Sequence, residues 1–148
     1  MGMVAIPGLE SNAVPPLKEV SLSSQLKRIP DATRPTVKAA IKTVRLAGPK
    51  ADEVAYRSDP PKSISTMWKI VRYVMNGENV LGIGTFRAHS TMFFYRGREL
   101  DEGAGRLQGS GKDTRFITLR SPSDAESAVV RTLVRKAFKL SAGGRAKS

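Results

Sequence analysis

MWKIVRYVMNGENVLGIGTFRAHSTMFFYR, residues 67–96, reads as three strands joined by two turns. Met67–Met75 is rich in Trp, Ile, Val and Tyr, side chains that suit a pleated, half-buried surface. Asn76-Gly77 supplies the pair of left-handed residues that a type I′ hairpin requires. Val80–Arg87 and Ser90–Arg96 follow as the next strands, with a turn at Ala88-His89. A strand alternates its faces, so Phe93 and Tyr95 share one side while Phe94 and Arg96 take the other. At least one of these aromatic sets belongs to a core beneath helices.

Working outward, Ser58-Asp59-Pro60-Pro61-Lys62 is a loop, because two prolines have no N–H for a ladder. Val54–Arg57 before it is a short strand. Further upstream, Val37, Ala40, Ile41, Val44 and Ala47 fall on one face of a helix over Arg34–Ala47, with Thr33 as N-cap, Pro35 in the first turn and Gly48-Pro49 as the stop. Downstream, a glycine-rich loop runs from Gly97 to Asp113, and Arg115–Leu119 alternates as a last strand. Ser121 or Ser123 caps a final helix, with Asp124 and Glu126 in its first turn and Val130, Leu133, Val134, Ala137 and Phe138 on its apolar face. The order predicts an α+β two-layer sandwich: an antiparallel sheet of about five strands with the N- and C-terminal helices packed on one face.

The chain has 148 residues, 40% of them hydrophobic, enough for one domain with one core. Residues 1–33, with Pro7, Pro15, Pro16 and Pro30 among serines, read as a flexible N-terminal arm; 34–140 form the domain; 141–148 read as a flexible basic tail. With no cysteine there is no disulfide, thiol catalysis, zinc-thiolate or iron–sulfur ligation. No apolar run approaches the ~20 residues of a membrane-spanning helix, and the first residues lack a secretory signal, so a cytoplasmic protein with no membrane partner is expected. The net charge of +12, from 25 Lys and Arg against 13 Asp and Glu, favours an anionic small molecule, an acidic surface or nucleic acid as partner. Oligomeric state is not encoded in these features.

No Ser/His/Asp or paired-carboxylate arrangement can be named, so the chain reads as a non-enzymatic binding module with no catalytic residue, metal ligand or cofactor assigned. The sharpest motif is Gly109-Ser110-Gly111-Lys112, where backbone N–H groups and a lysine suit an anion. A nucleotide-binding phosphate loop would need glycine at position 106 and Ser or Thr at 113, where this chain has Arg106 and Asp113. The predicted ligand site lies where this loop meets the sheet end, with His89, Arg96, Arg98, Gly109, Gly111, Lys112 and Arg115 as its residues. Arg87 and Arg106 add to the cations that flank the aromatic strand, a combination that can hold single strands by stacking. A second candidate is the outer stripe of both helices, Arg34, Lys38, Lys42, Arg45, Arg131, Arg135 and Lys139, as a nucleic-acid face. In each case the plainer reading is structural: turn glycines, a surface histidine, core aromatics and solvated helix cations.

From Val80 to Lys112 the chain resembles the YdhG-like family of bacterial domains of unknown function. The resemblance rests on Phe93-Phe94-Tyr95-Arg96-Gly97, then Glu99-Leu100-Asp101, Leu107 before Gly109-Ser110-Gly111-Lys112, and Arg115 opening the next strand. It extends over roughly 34–140. It implies a frataxin-like sandwich and, for some members, iron-chaperone activity. The cations Arg34, Lys38, Lys42 and Arg45 on the first helix, with only Asp52 and Glu53 after it, run against iron binding, which calls for carboxylate or imidazole.

Overall fold

The turn at Asn76-Gly77 has the geometry its residues dictate, with φ at +54° and +74°. It joins the two longest strands of a five-stranded sheet. The structure, a computed structural model, describes residues 21–100 and 106–142. In order these form α1 (Leu22–Arg28), α2 (Arg34–Ala47), β1 (Asp52–Ala55), β2 (Trp68–Met75), β3 (Glu78–Thr85), β4 (Ser90–Phe94), α3 (Gly97–Leu100), β5 (Arg115–Leu119), α4 (Pro122–Ala125) and α5 (Ala128–Ala142). The strands pair antiparallel in chain order, β1-β2-β3-β4-β5. With both long helices packed on it, this is an α+β two-layer sandwich.

Register assigns the two faces. Val71 and Tyr73 lie opposite Ile83 and Leu81, which lie opposite Met92 and Phe94. These side chains are buried together with Val37, Ala40, Ile41 and Val44 of α2 and Val130, Leu133, Val134, Ala137 and Phe138 of α5. Each such residue withdraws its apolar surface from water, worth about 1.5–3 kcal/mol per large side chain. Ile70 and Val80 are extra residues where the β2–β3 register shifts, and both are buried. These bulges let Ile70-Val71 and Val80-Leu81 each contribute consecutive side chains to the core, which strict alternation would forbid.

The other face carries Tyr56, Lys69, Arg72, Gly82, Gly84, Thr91, Phe93 and Phe116. Phe94 therefore belongs to the helix-covered core and Phe93 does not. Phe93 is nonetheless only 5% exposed. Its ring lies over Gly82, edge-on to Tyr95 at 5.8 Å, with the Lys69 ammonium 5.6 Å from its centre.

The domain begins earlier than the sequence suggests. Ser21 caps α1 by accepting from the Ser24 N–H at 3.1 Å, and buried Gln25 donates to the carbonyls of Tyr56 (2.9 Å) and Ser58 (3.1 Å). Ile29 is 1% exposed in the core. Residues 21–33 are thus packed against the sheet. Leu22, Gln25, Leu26 and Ile29 follow helical spacing and pack toward the core, but with a glutamine among the four the apolar face is too narrow to announce a docked helix. At the other terminus, Ser121 caps the single turn of α4, as its side chain accepts from the Asp124 N–H at 3.2 Å. The chain then restarts as α5, which continues to Ala142, with Ser141 buried and its carbonyl accepting from Asn76 Nδ2 at 3.0 Å. The predicted arm before Ser21 and the predicted tail after Ala142 lie outside the described residues. Among the described residues no helix is long and apolar enough to cross a membrane.

Candidate functional site

The predicted anion site is assembled only in part. Gly97 opens α3 pressed against β5: a Cβ there would stand 2.5 Å from Arg115 Cβ and 2.6 Å from its backbone nitrogen. Arg98 fixes the returning loop, its N–H donating to the Asp113 carbonyl at 2.8 Å and its guanidinium to the Lys112 carbonyl and the Asp113 carboxylate. Gly109 has φ +119°, a conformation L side chains rarely adopt, and its neighbour Gln108 bridges to Phe116. Beside the Arg98 contacts lies an open recess of about 890 Å³ between the start of β3 and the loop, with Tyr95, Arg96, Arg98, Gly111 and Lys112 in its walls; Gly109 and Arg115 do not line it.

His89 is not part of it. It sits in the β3–β4 turn, stacked on Phe86 at 4.6 Å, at the opposite end of β4 from Arg96. A five-residue strand puts roughly 17 Å between them. Arg115 is nearby but turned to the backbone, donating to the carbonyls of Gly111 (2.6 Å) and Thr114 (2.9 Å).

The electrostatics of the recess differ from the expected cationic cradle. Arg96, whose side chain is only 11% exposed, donates twice to Glu99 at 2.8 and 2.7 Å and once to Glu78 at 3.1 Å. The hydrogen bonds to Glu99 raise its pKa further, against the opposing effect of burial. Arg98 is paired with Asp113 at 3.2 Å. Each guanidinium in the wall therefore has its own carboxylate. Lys112 alone of the wall cations has no ion-pair partner among the described residues. Glu78 and Glu99 are the residues that sequence reasoning missed here. The spacing Arg96-x-x-Glu99 was a signal for one of them, since positions three apart face each other on a helical turn.

The helix layer shows the reverse pattern. Two of its predicted cations are structural. Arg34 donates to the carbonyls of Leu26, Lys27 and Ile29 and to Asp31, closing the C-terminal end of α1. Arg45 grips Glu53 through two bonds of 2.8 Å. Those bonds hold the Glu53 carboxyl below its ordinary range, burial opposes, and the Tyr73 hydroxyl adds to the lowering. The remaining cations are turned to solvent. Lys42 stands between two grooves: one of about 270 Å³ toward α5, with Leu46, Arg131 and Arg135 in its lining, and one of about 490 Å³ toward α1, with Leu26, Lys38 and Ile41. Lys27, not anticipated from the sequence, extends the second groove at its α1 side. Leu46 is 74% exposed between them. Lys38, Lys42, Arg135 and Lys139 make no ion pair with a described carboxylate. Arg131 bonds the Glu126 carbonyl at 2.9 Å, and Glu126 is the carboxylate residue lining these grooves.

Iron would need clustered oxygen or imidazole donors. Among the described residues no three of His, Asp and Glu converge, and Glu53 beside the first helix is committed to Arg45 and Tyr73. Asp101 and Glu102 lie outside the described residues. Comparison with protein-family models, with curated proteins and with solved structures finds no match to this chain.

Proposed function

We infer that this chain is a non-enzymatic module that associates with nucleic acid through its helix layer. The observation that carries the reading is a contrast. The guanidinium groups lining the loop-end recess are neutralised in place, whereas Lys38, Lys42 and Arg135 line open grooves with no ion-pair partner among the described carboxylates. Cations held this way release condensed counterions when they meet phosphates, a favourable term that shrinks as salt rises. With Lys38, Lys42, Arg131 and Arg135 each neutralising one phosphate of a B-form duplex, log K should fall against log salt with a slope of roughly −3 to −4. Fluorescence anisotropy of a labelled duplex across a potassium chloride series measures it. Lys38→Glu, Lys42→Glu, Arg131→Glu and Arg135→Glu together should abolish binding. Affinity that ignores salt, or survives the four reversals, defeats this reading.

A second reading keeps one observation in its favour. The recess is large enough for a small anionic ligand, and Lys112 in its wall has no described counter-charge. Isothermal titration with inorganic phosphate and nucleoside phosphates, on the native chain and on Lys112→Gln, is the test. No heat from either ligand on the native chain rules it out.

A further inference from the structure

On the side of the sheet away from the helices, aromatic rings and cations are interleaved. Tyr56 continues β1, and its N–H bonds the Ile70 carbonyl at 2.9 Å. Its hydroxyl meets that of Tyr95 at 2.8 Å. The Lys69 ammonium lies 5.7 Å from the Tyr56 ring centre and the Arg72 guanidinium 5.6 Å from it. Phe116 of β5 pairs with Phe93 of β4 on the same face, so rings extend from one side of the sheet to the other. Tyr56, Tyr95 and Phe116 are half-buried, which leaves ring surface open to solvent. No described helix packs over them.

Two details distinguish this face from an ordinary solvated sheet. Among the described residues, the buried side-chain nitrogens and oxygens without a hydrogen-bond partner are Thr33 Oγ1 and Arg72 Nε. Arg72 makes no ion pair with a described residue, so a half-buried cation stands beside the Tyr56 ring with an unused donor. Leaving that Nε unsatisfied is costly, and an anion met by the terminal nitrogens of the same guanidinium would supply the counter-charge that Arg72 lacks among the described residues. The Tyr56–Tyr95 pair spends one of its two hydroxyl protons on itself and keeps the other for an acceptor. Burial, then the bond to Tyr56, hold the Tyr95 phenol protonated well above its ordinary range. Charge agrees: the carboxylate that register assigns to this face is Asp52, at the start of β1 opposite Val74, and it pairs with neither Lys69 nor Arg72.

We propose that this open face binds single-stranded nucleic acid, with bases stacked on Tyr56, Tyr95 and Phe116 and phosphates met by Lys69 and Arg72. A sheet face suits an extended strand of nucleotides, whose unpaired bases can lie flat on rings; a duplex keeps its bases inside and cannot use them. This surface is opposite the helix layer and does not depend on it. The two are separable by strand type.

The test is fluorescence anisotropy with labelled oligothymidylate and with a duplex of matched length. It uses the native chain, the four-fold helix-layer reversal, Phe116→Ala, and Lys69→Gln with Arg72→Gln. Stacking is worth about 1–3 kcal/mol per base, so Phe116→Ala should weaken oligothymidylate roughly 5- to 150-fold and leave duplex affinity unchanged. The Lys69/Arg72 pair should weaken the single strand and flatten its salt dependence. The helix-layer reversal should abolish duplex binding yet retain the sensitivity of the single strand to Phe116→Ala. Circular dichroism checks that each variant is folded. No binding of oligothymidylate at low salt, or folded Phe116→Ala and Lys69/Arg72 variants that bind it as the native chain does, would overturn the proposal.

Discussion

The Phe93 ring occupies the space that a side chain on Gly82 would need. The two residues are paired across β3 and β4, and a Cβ on Gly82 would stand 2.3 Å from Phe93 Cζ. The glycine's role is therefore steric permission for a neighbour. Gly82→Ala should force the ring off its seat at a cost of about 1–3 kcal/mol, read as a lower urea midpoint. A stability equal to that of the native chain would mean that the ring does not lie there.

Glu53 ties stability to acid. Its carboxylate accepts from Arg45 and, at 2.7 Å, from the Tyr73 hydroxyl. A carboxyl whose folded pKa lies below its ordinary 4.5 contributes stability that is complete above that value and lost as pH falls through the depressed one. Glu53→Gln should thus lower Tm at pH 7 but narrow the gap to the native chain at pH 3. The same Tm deficit at both values would unlink this carboxylate from acid stability.

Arg34 and Lys38 are one turn apart on α2 but should fail differently when removed. Arg34→Ala uncaps the end of α1 and should cost about 1–2 kcal/mol while duplex affinity changes little. Lys38→Ala should leave thermal stability unchanged and lower the salt slope by about 0.9. Thermal melts and anisotropy on the same two variants separate the roles.

Arg96→Met removes the shared partner of Glu78 and Glu99 at the root of the loop. The expected loss is about 2 kcal/mol, as for hydrogen bonds to charged groups. Amide exchange should accelerate first in α3 and in the Gly111–Thr114 segment. A uniform acceleration across the sheet would place the anchor elsewhere.

What was legible in the sequence follows from range. The Asn76-Gly77 hairpin, β5 and the span of α2 rest on local periodicity and turn chemistry, and all are where those rules put them. The docking of α1 was not legible, because Gln25 is anchored by carbonyls more than thirty residues away. The candidate sites divide in the same way. Lys38, Lys42, Arg131 and Arg135 face outward as helical spacing requires. The loop end reads as cationic because Arg96 and Arg98 are visible in one dimension, while Glu78 reaches Arg96 from another strand. Tyr56 and Arg72 carry no local signal, since only sheet register brings them together.

Pairing in chain order also carries a kinetic meaning. Every strand finds its partner in the next strand, so the sheet can zip hairpin by hairpin with little chain entropy spent on closure. The helix layer has no such shortcut. The buried bond from the Thr43 hydroxyl to the Ala125 carbonyl joins residues 82 positions apart. Refolding should therefore form the meander before the helix layer closes over it. Thr43→Val should then hasten unfolding while the refolding rate stays near that of the native chain, a mark of a contact made after the barrier.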